Sequence, residues 1–197
     1  ETQHGRPGFP ETLQMIKQSW QLKRDDVEEA ADNITKRIQA MLSVPATQKA
    51  RVKDETMNVL AKHLGVVHDA ANGGFFQAPK FPQENYLLFL IDYYRASSEP
   101  KVLDIVTRSL DMMAAGGIYD HVGGGFHRYS TDGEWQVPHF EKMLYNQAQL
   151  TQAYTNAFAA TGKAYYEYIA CSTLDFVASK MTGKNGQFFS AFDAETD

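Results

Sequence analysis

Residues 123–150 read GGGFHRYSTDGEWQVPHFEKMLYNQAQL, and this one loop holds two histidines, His127 and His139, with Arg128 and Glu141. Histidine titrates closest to neutral pH. Two imidazoles on opposite sides of a small pocket could therefore remove and return a proton at a carbon next to a carbonyl. Glu141 would orient an imidazole or take up the proton, and Arg128 would clamp a carboxylate or a phosphate. Each residue also has a plainer reading. The histidines, His121 among them, could hold the loop through backbone hydrogen bonds, and Arg128 could pair with Asp132 or Glu134. Glu141 falls in the expected first turn of a helix entered at Pro138, where the helix dipole alone favours a carboxylate. Tyr145, four residues on, would share its face. Trp135 and Tyr129 carry rings that could stack on the apolar face of a sugar, although a loop tryptophan also serves to seal a corner. Asp193 and Glu195 are laid out like a glycosidase acid/base pair, or form a solvated acidic loop. No His-x3-His pair or cysteine partner offers a metal site, and no glycine-rich phosphate loop follows a strand, so neither metal nor cofactor is expected.

Helical spacing surrounds this loop. Apolar residues recur with a helical period over 11–42 (Leu13, Ile16, Trp20, Val27, Ile34, Ile38), about 51–70, 84–96, 102–115, 141–161 and 164–181. GRPGF with Pro10 marks the entry to the first stretch, Pro45 its end, and Gly162 the end of the fifth. One motif recurs after helical segments: Gly73-Gly74-Phe75, Gly124-Gly125-Phe126 and Gly186-Gln187-Phe188, with phenylalanines 51 and 62 residues apart. That period suits one helical hairpin with its connections. Glycine supplies a left-handed corner and the aromatic packs back on the helix ends. Equivalent loops of stacked hairpins fall on one rim, so the expected fold is all-α, a helical toroid with its polar loops gathered at one mouth. A plain helical solenoid is the alternative, but its usual repeats are shorter, about 33–47 residues, and lack such corners.

Composition sets the outer bounds. With 43% apolar and 22% charged residues and a net charge of −5, the chain has the balance of a globular protein and no basic stripe for nucleic acid. Its longest apolar run, Tyr86 to Ile91, cannot cross a bilayer. The single cysteine, Cys171, is expected to be a buried small hydrophobe. No signal-peptide pattern opens the chain, which points to the cytoplasm. A start at Glu1 without methionine and a stop inside an acidic loop read as a piece of a longer protein. Such a piece would leave apolar helix faces without neighbours and self-associate, or be a product of proteolysis.

GGFFQAPKFPQ, MAAGGIYDHVGGGFHRYSTDGEWQVPHFEKMLYNQAQL and GQFFSAFDAETD together closely resemble the thioredoxin-domain proteins of the YyaL-like, spermatogenesis-associated family. GRPGF and the tryptophan helix are similar to the segment that follows that family's thioredoxin-like domain. The resemblance implies that 1–45 is the tail of, or linker after, a thioredoxin-like domain. It implies that 46–197 is the first half of a six-hairpin (α/α)6 toroid similar to glycosidases and N-acylglucosamine 2-epimerases. The thioredoxin cysteines are not in this chain, so no redox activity is implied for it. In the epimerases a Gly-Gly-Phe corner precedes a helix with lysine, an aromatic and Gln-Ala-Arg. Here the matching residues are Lys142, Tyr145, Gln147 and Ala148, and Gln149 stands in place of the arginine. The epimerases' catalytic histidines lie largely in later hairpins. The implied function is binding or processing of a carbohydrate-like small molecule at the toroid mouth, epimerase-, isomerase- or glycosidase-like. The candidate catalytic residues are His127, His139 and Glu141, and the candidate binding residues Arg128, Trp135, Tyr145 and Asp193. The alternative is a non-catalytic helical scaffold that presents the thioredoxin-like domain to partners.

Overall fold

A computed structural model describes residues 7–43 and 53–194. Pro45, the expected boundary after residue 45, and Glu195 lie outside the described residues. The chain divides into two compact units, Glu1–Arg51 and Val52–Asp197.

In the first unit the 11–42 stretch is two helices, α1 (Phe9–Leu22) and α2 (Arg24–Leu42), separated where Lys23 leaves helical geometry at φ −137° and ψ 39°. Pro10 sits in the first turn of α1, and the Glu11 carboxylate accepts from the Gly8 amide at 3.0 Å, so the entry is capped. Neither helix buries a side chain, and Phe9, Ile16, Trp20, Ile34 and Met41 stay exposed.

The second unit carries the core. Its helices are α3 (Asp54–Val67), α4 (Glu84–Ser97), α5 (Pro100–Ala115), α6 (Leu144–Thr161) and α7 (Ala164–Lys180). α4 packs on α6 as one layer, and α3, α5 and α7 lie against them as a second. Apolar faces at helical spacing drive this. Leu87, Leu90 and Ile91 from α4 meet Val106, Leu110 and Met113 from α5, with Leu150 and Tyr154 from α6 in the same cluster. The Tyr154 hydroxyl donates to the Leu110 carbonyl at 2.8 Å, which satisfies the one polar atom this large ring takes into the core. Pro100 opens α5, and Gly162, at φ 70°, closes α6. Cys171 corrects its expectation. α7 buries Tyr166, Ile169, Ala170, Thr173 and Phe176, and Cys171 falls on the other side, exposed as a free thiol.

The three corners follow α3, α5 and α7, the helices of one layer. Each closes on itself through an antiparallel bridge: His68 with Phe75, Tyr119 with Phe126, and Thr182 with Phe188. The glycines take the left-handed backbone required, from φ 68° at Gly73 to φ 80° at Gly186. Short strands then join each corner to the next. After the second corner come β1 (Tyr129–Ser130), β2 (Pro138–His139) and β3 (Lys142–Met143), and after the third comes β4 (Ala191–Phe192). Lys80 bridges Ser130, β1 pairs antiparallel with β2 through Tyr129–His139, and β3 pairs with β4 through Lys142–Phe192. The fourth residue after the second and third corner phenylalanines, Ser130 and Phe192, thus meets the lysine segment of the preceding corner. Phe75, Phe126 and Phe188 lie along one continuous seam. Among the described residues no helix is long and apolar enough to cross a membrane.

Candidate functional site

The seam is built on a repeated clamp. In the first corner the Asp69 carboxylate accepts from the Ala71 and Asn72 amides, each at 3.0 Å, and from the Lys80 ammonium at 2.7 Å. In the second, Asp120 accepts from the Val122 amide (3.0 Å), the Gly123 amide (2.8 Å) and the Lys142 ammonium (2.6 Å). Both lysines are buried. Lys80 donates a second bond to the Gly133 carbonyl and lies over the Trp135 ring; Lys142 donates to the Gly124 carbonyl and lies over Phe176. Partial burial alone would push the two carboxyls up. The lysines and loop amides outweigh it and bring both down to about 2. The third corner has Gly183 at the aspartate position and is closed by backbone bonds alone. Only half of this clamp shows in the residue pattern: HDAANGGF and YDHVGGGF hold the aspartate in matching places, whereas the lysines follow at 11 and 22 residues.

The second clamp places the candidate residues. Glu141 lies three residues ahead of α6, not in its first turn, because Lys142 and Met143 are drawn into the pair with β4. It does not share a helix face with Tyr145. Arg128 brings the two together instead. Its Nη1 donates to the Glu141 carboxylate at 2.8 Å, its backbone amide donates to the Glu141 carbonyl at 2.8 Å, and Tyr145 bonds to the guanidinium as well. Glu141 first and Tyr145 second strengthen the charge on Arg128. Arg128 therefore pairs with neither Asp132 nor Glu134. Asp132 is occupied by the Glu134, Gln136 and Val137 amides. His139 Nδ1 faces the same Glu141 oxygen at 3.7 Å, and its ring stacks on Tyr129 at 4.7 Å between centroids. Tyr129 in turn stacks with Phe81 at 4.8 Å. Arg128, His139, Glu141 and Tyr145 form one half-exposed group at the N-terminal end of α6, backed by two aromatic rings.

The other candidates fall elsewhere. His127 is buried edge-on against Phe140. Burial, and then Lys142, holds its imidazole below the usual histidine range against the opposite pull of the Phe140 backbone and Asp120, so it is neutral at neutral pH. Trp135 corrects the expectation of a stacking platform. It is fully buried at φ 65°, its Nε1 donates to the Asn72 carbonyl at 2.9 Å, and its ring packs against Gly74. It seals the first corner from the second. His121 accepts the backbone role, with Nε2 3.1 Å from the Gly116 carbonyl. Asp193 is exposed directly after β4, and continuing the register of that pair sets it across from Glu141. Two residues at the rim went unmarked in the sequence. Phe140 is an exposed aromatic beside the group, and Asn146, next to Tyr145, turns inward to bond Glu84. Asn146 sits in an unbroken helical pattern whose polar positions look alike until the partner on α4 is known.

No family model matches the chain. It is 39% identical to human spermatogenesis-associated protein 20 and 38% identical to the mouse protein, over 97% of this chain and 25% of each of those proteins. It is 34% identical to the uncharacterized protein B0495.5 of Caenorhabditis elegans, over 98% of this chain and 27% of that one. The chain thus spans about a quarter of the length of the curated relatives it matches. Among solved structures it is similar to a sugar epimerase from a ruminal bacterium, with a TM-score of 0.62 at 19% identity, over 68% of this chain and 37% of that one. Cellobiose 2-epimerase from Bacillus thermoamylovorans B4167 gives 0.61 at 14% identity, over 72% and 42%. D-mannose isomerase gives 0.52 at 20% identity, over 61% and 31%. The likeness to the solved structures is one of fold, with α4 and α6 as one ring layer and α3, α5 and α7 as the other. Over almost its whole length the chain is related to one segment of the spermatogenesis-associated protein 20 family, and its helices form part of an (α/α)6 toroid.

Proposed function

We propose that the rim between the second and third corners binds a carbohydrate-like small molecule and that His139 acts on it as acid and base. The observation that carries this reading is the convergence of Arg128, His139, Glu141 and Tyr145 beside the exposed ring of Phe140. His139 would take a proton from a carbon next to a carbonyl, and the electron pair left behind would move onto the carbonyl oxygen. The Glu141 carboxylate, 3.7 Å from Nδ1, would orient the ring. Arg128 and Tyr145 supply donors for the oxygen that gains charge. Phe140 and Tyr145, in place of Trp135, offer rings to the apolar face of a sugar. A fold shared with sugar epimerases and an isomerase supports this class of ligand. We infer also that residues 1–45 are the tail of, or linker after, a thioredoxin-like domain and that 46–197 are the first half of the toroid; the fourfold greater length of the relatives leaves room for the rest of both.

A second reading, a non-catalytic scaffold for the thioredoxin-like domain, draws on the pairing of Arg128 with Glu141, which balances both charges without a ligand. A thermal-shift screen of sugars and sugar acids against full-length protein separates the two. A sugar that raises the melting temperature of the wild type, and not of His139→Ala, is the expected result. The substitution itself should leave the unliganded melting temperature nearly unchanged, since Nδ1 has no hydrogen-bond partner and the ring is partly exposed. No stabilisation by any of these ligands would favour the scaffold.

A further inference from the structure

At the foot of the rim, where α4 and α6 begin, one carboxyl group is shut away from water. Glu84 opens α4 and is 8% exposed; Asn146, in the first turn of α6, is 2% exposed. The Asn146 amide nitrogen donates to Glu84 Oε1. The amide oxygen, Oδ1, is buried and accepts nothing. With Glu84 ionised, the pair holds no donor for Asn146 Oδ1, which stays a buried acceptor without a partner. An orphaned buried acceptor of this kind is destabilising. The α4 N-terminus and the Glu84 backbone amide favour the ionised form, but no charged side chain among the described residues adds to them. Glu84 has no ion pair among the described residues, and no charged side chain of α3, α4, α5 or α6 acts on it. Lys80, four residues before it, is committed to Asp69 and Gly133.

The geometry points to a protonated Glu84 that forms a two-way acid–amide pair with Asn146, and to this pair as the positioning element of the rim. One proton resolves the orphan: Asn146 Nδ2 donates to Oε1, and the carboxyl O–H would donate back to Oδ1. Burial pushes the Glu84 carboxyl up, against the smaller opposing pull of its own backbone amide and of Asn146. The pair ties the first turns of the two inner helices together one residue past Tyr145, which bonds Arg128. Its bearing on ligand binding rests on the function proposed above, whereas the protonation itself does not.

The sign of the pH effect follows from linkage. The folded carboxyl titrates higher than the unfolded one, so the pair's contribution is whole below the unfolded value. It is lost as pH rises through the folded value. Glu84→Gln reproduces the protonated form at every pH, because its amide can donate to Oδ1 and accept from Nδ2. In full-length protein labelled with 13C at glutamate carboxyls, one resonance should titrate above the ordinary glutamate range and vanish in Glu84→Gln. The melting temperature of Glu84→Gln should match wild type near about pH 5 and exceed it by a few degrees near about pH 9, with Glu84→Ala below wild type at the lower pH. A Glu84 resonance titrating in the ordinary range, or a Gln variant as unstable as the Ala variant, would overturn the inference. Failure of the sugar screen alone would leave it standing.

Discussion

Lys142 is the side chain on which the rim depends, although it touches no candidate ligand. Its ammonium is buried, and among the described residues Asp120 is its one anionic partner. Asp120→Asn keeps the loop amides' acceptor but removes the charge, leaving a buried cation without its counterpart. The expected cost is about 3 kcal/mol at neutral pH by urea denaturation. The acid limb should change as well. The Asp120 carboxyl is held down to about 2, so its contribution is present above the unfolded aspartate value and is lost as pH falls from about 4 towards 2. Asp120→Asn should therefore flatten part of the loss of stability over that range, and a variant with an unchanged acid limb would show that the clamp is not charged in the way described. The aspartate of the clamp recurs at a fixed place before each Gly-Gly-Phe corner, but its lysine does not, at 11 residues in one and 22 in the other. The burial of Trp135 could not be read from the sequence, because the groups that cover it, Gly74, Lys80 and Asn72, lie at the other corner. Glu141 misled for a similar reason. Helical spacing runs through Lys142 and Met143, and only β4, far along the chain, pulls them into an extended pair.

At the scale of elements, the corners and helices respond to different demands, and glycine substitutions tell them apart. Gly162 ends α6 at φ 70° with open space around it, so Gly162→Ala meets backbone strain alone, about 1 kcal/mol. Gly74 has nearly the same backbone, φ 72°, but a Cβ there would come within 2.4 Å of the Trp135 ring. Gly74→Ala should lose about 2 kcal/mol more than Gly162→Ala in the same denaturation experiment. Equal losses would mean that Trp135 is not packed into the corner. The helices themselves were legible because their apolar faces repeat every 3.6 residues, and the corners because glycine and phenylalanine recur after them. Short strands of two residues carry no such period and appear only through their partners. Cys171 shows the limit of reading one face: it adjoins Ala170 in a dense apolar stretch, and a turn of 100° per residue puts it on the other side.

For the molecule as a whole, the two units should behave differently on their own terms. α1 and α2 bury no side chain, so their hydrogen bonds are held by little beyond local helix stability, whereas α4 and α6 are embedded in a shared core. Amides of α1 and α2 are expected to exchange with deuterium orders of magnitude faster than those of α4 and α6; comparable protection would show that the first pair is covered. Phe9, Leu22 and Met41 also give this chain a sticky face, and sedimentation should find it self-associating when studied alone. The corner seam has a consequence of a different kind. Phe126 and Ser130, like Phe188 and Phe192, are separated by a fixed count, and that count alone decides which edge of the ribbon each ring looks out from. One residue inserted after Phe126 would leave every helix intact yet turn Tyr129 over, parting it from both His139 and Phe81. A single residue gained in this loop would therefore dismantle the ring stack behind His139 while the helices keep their places.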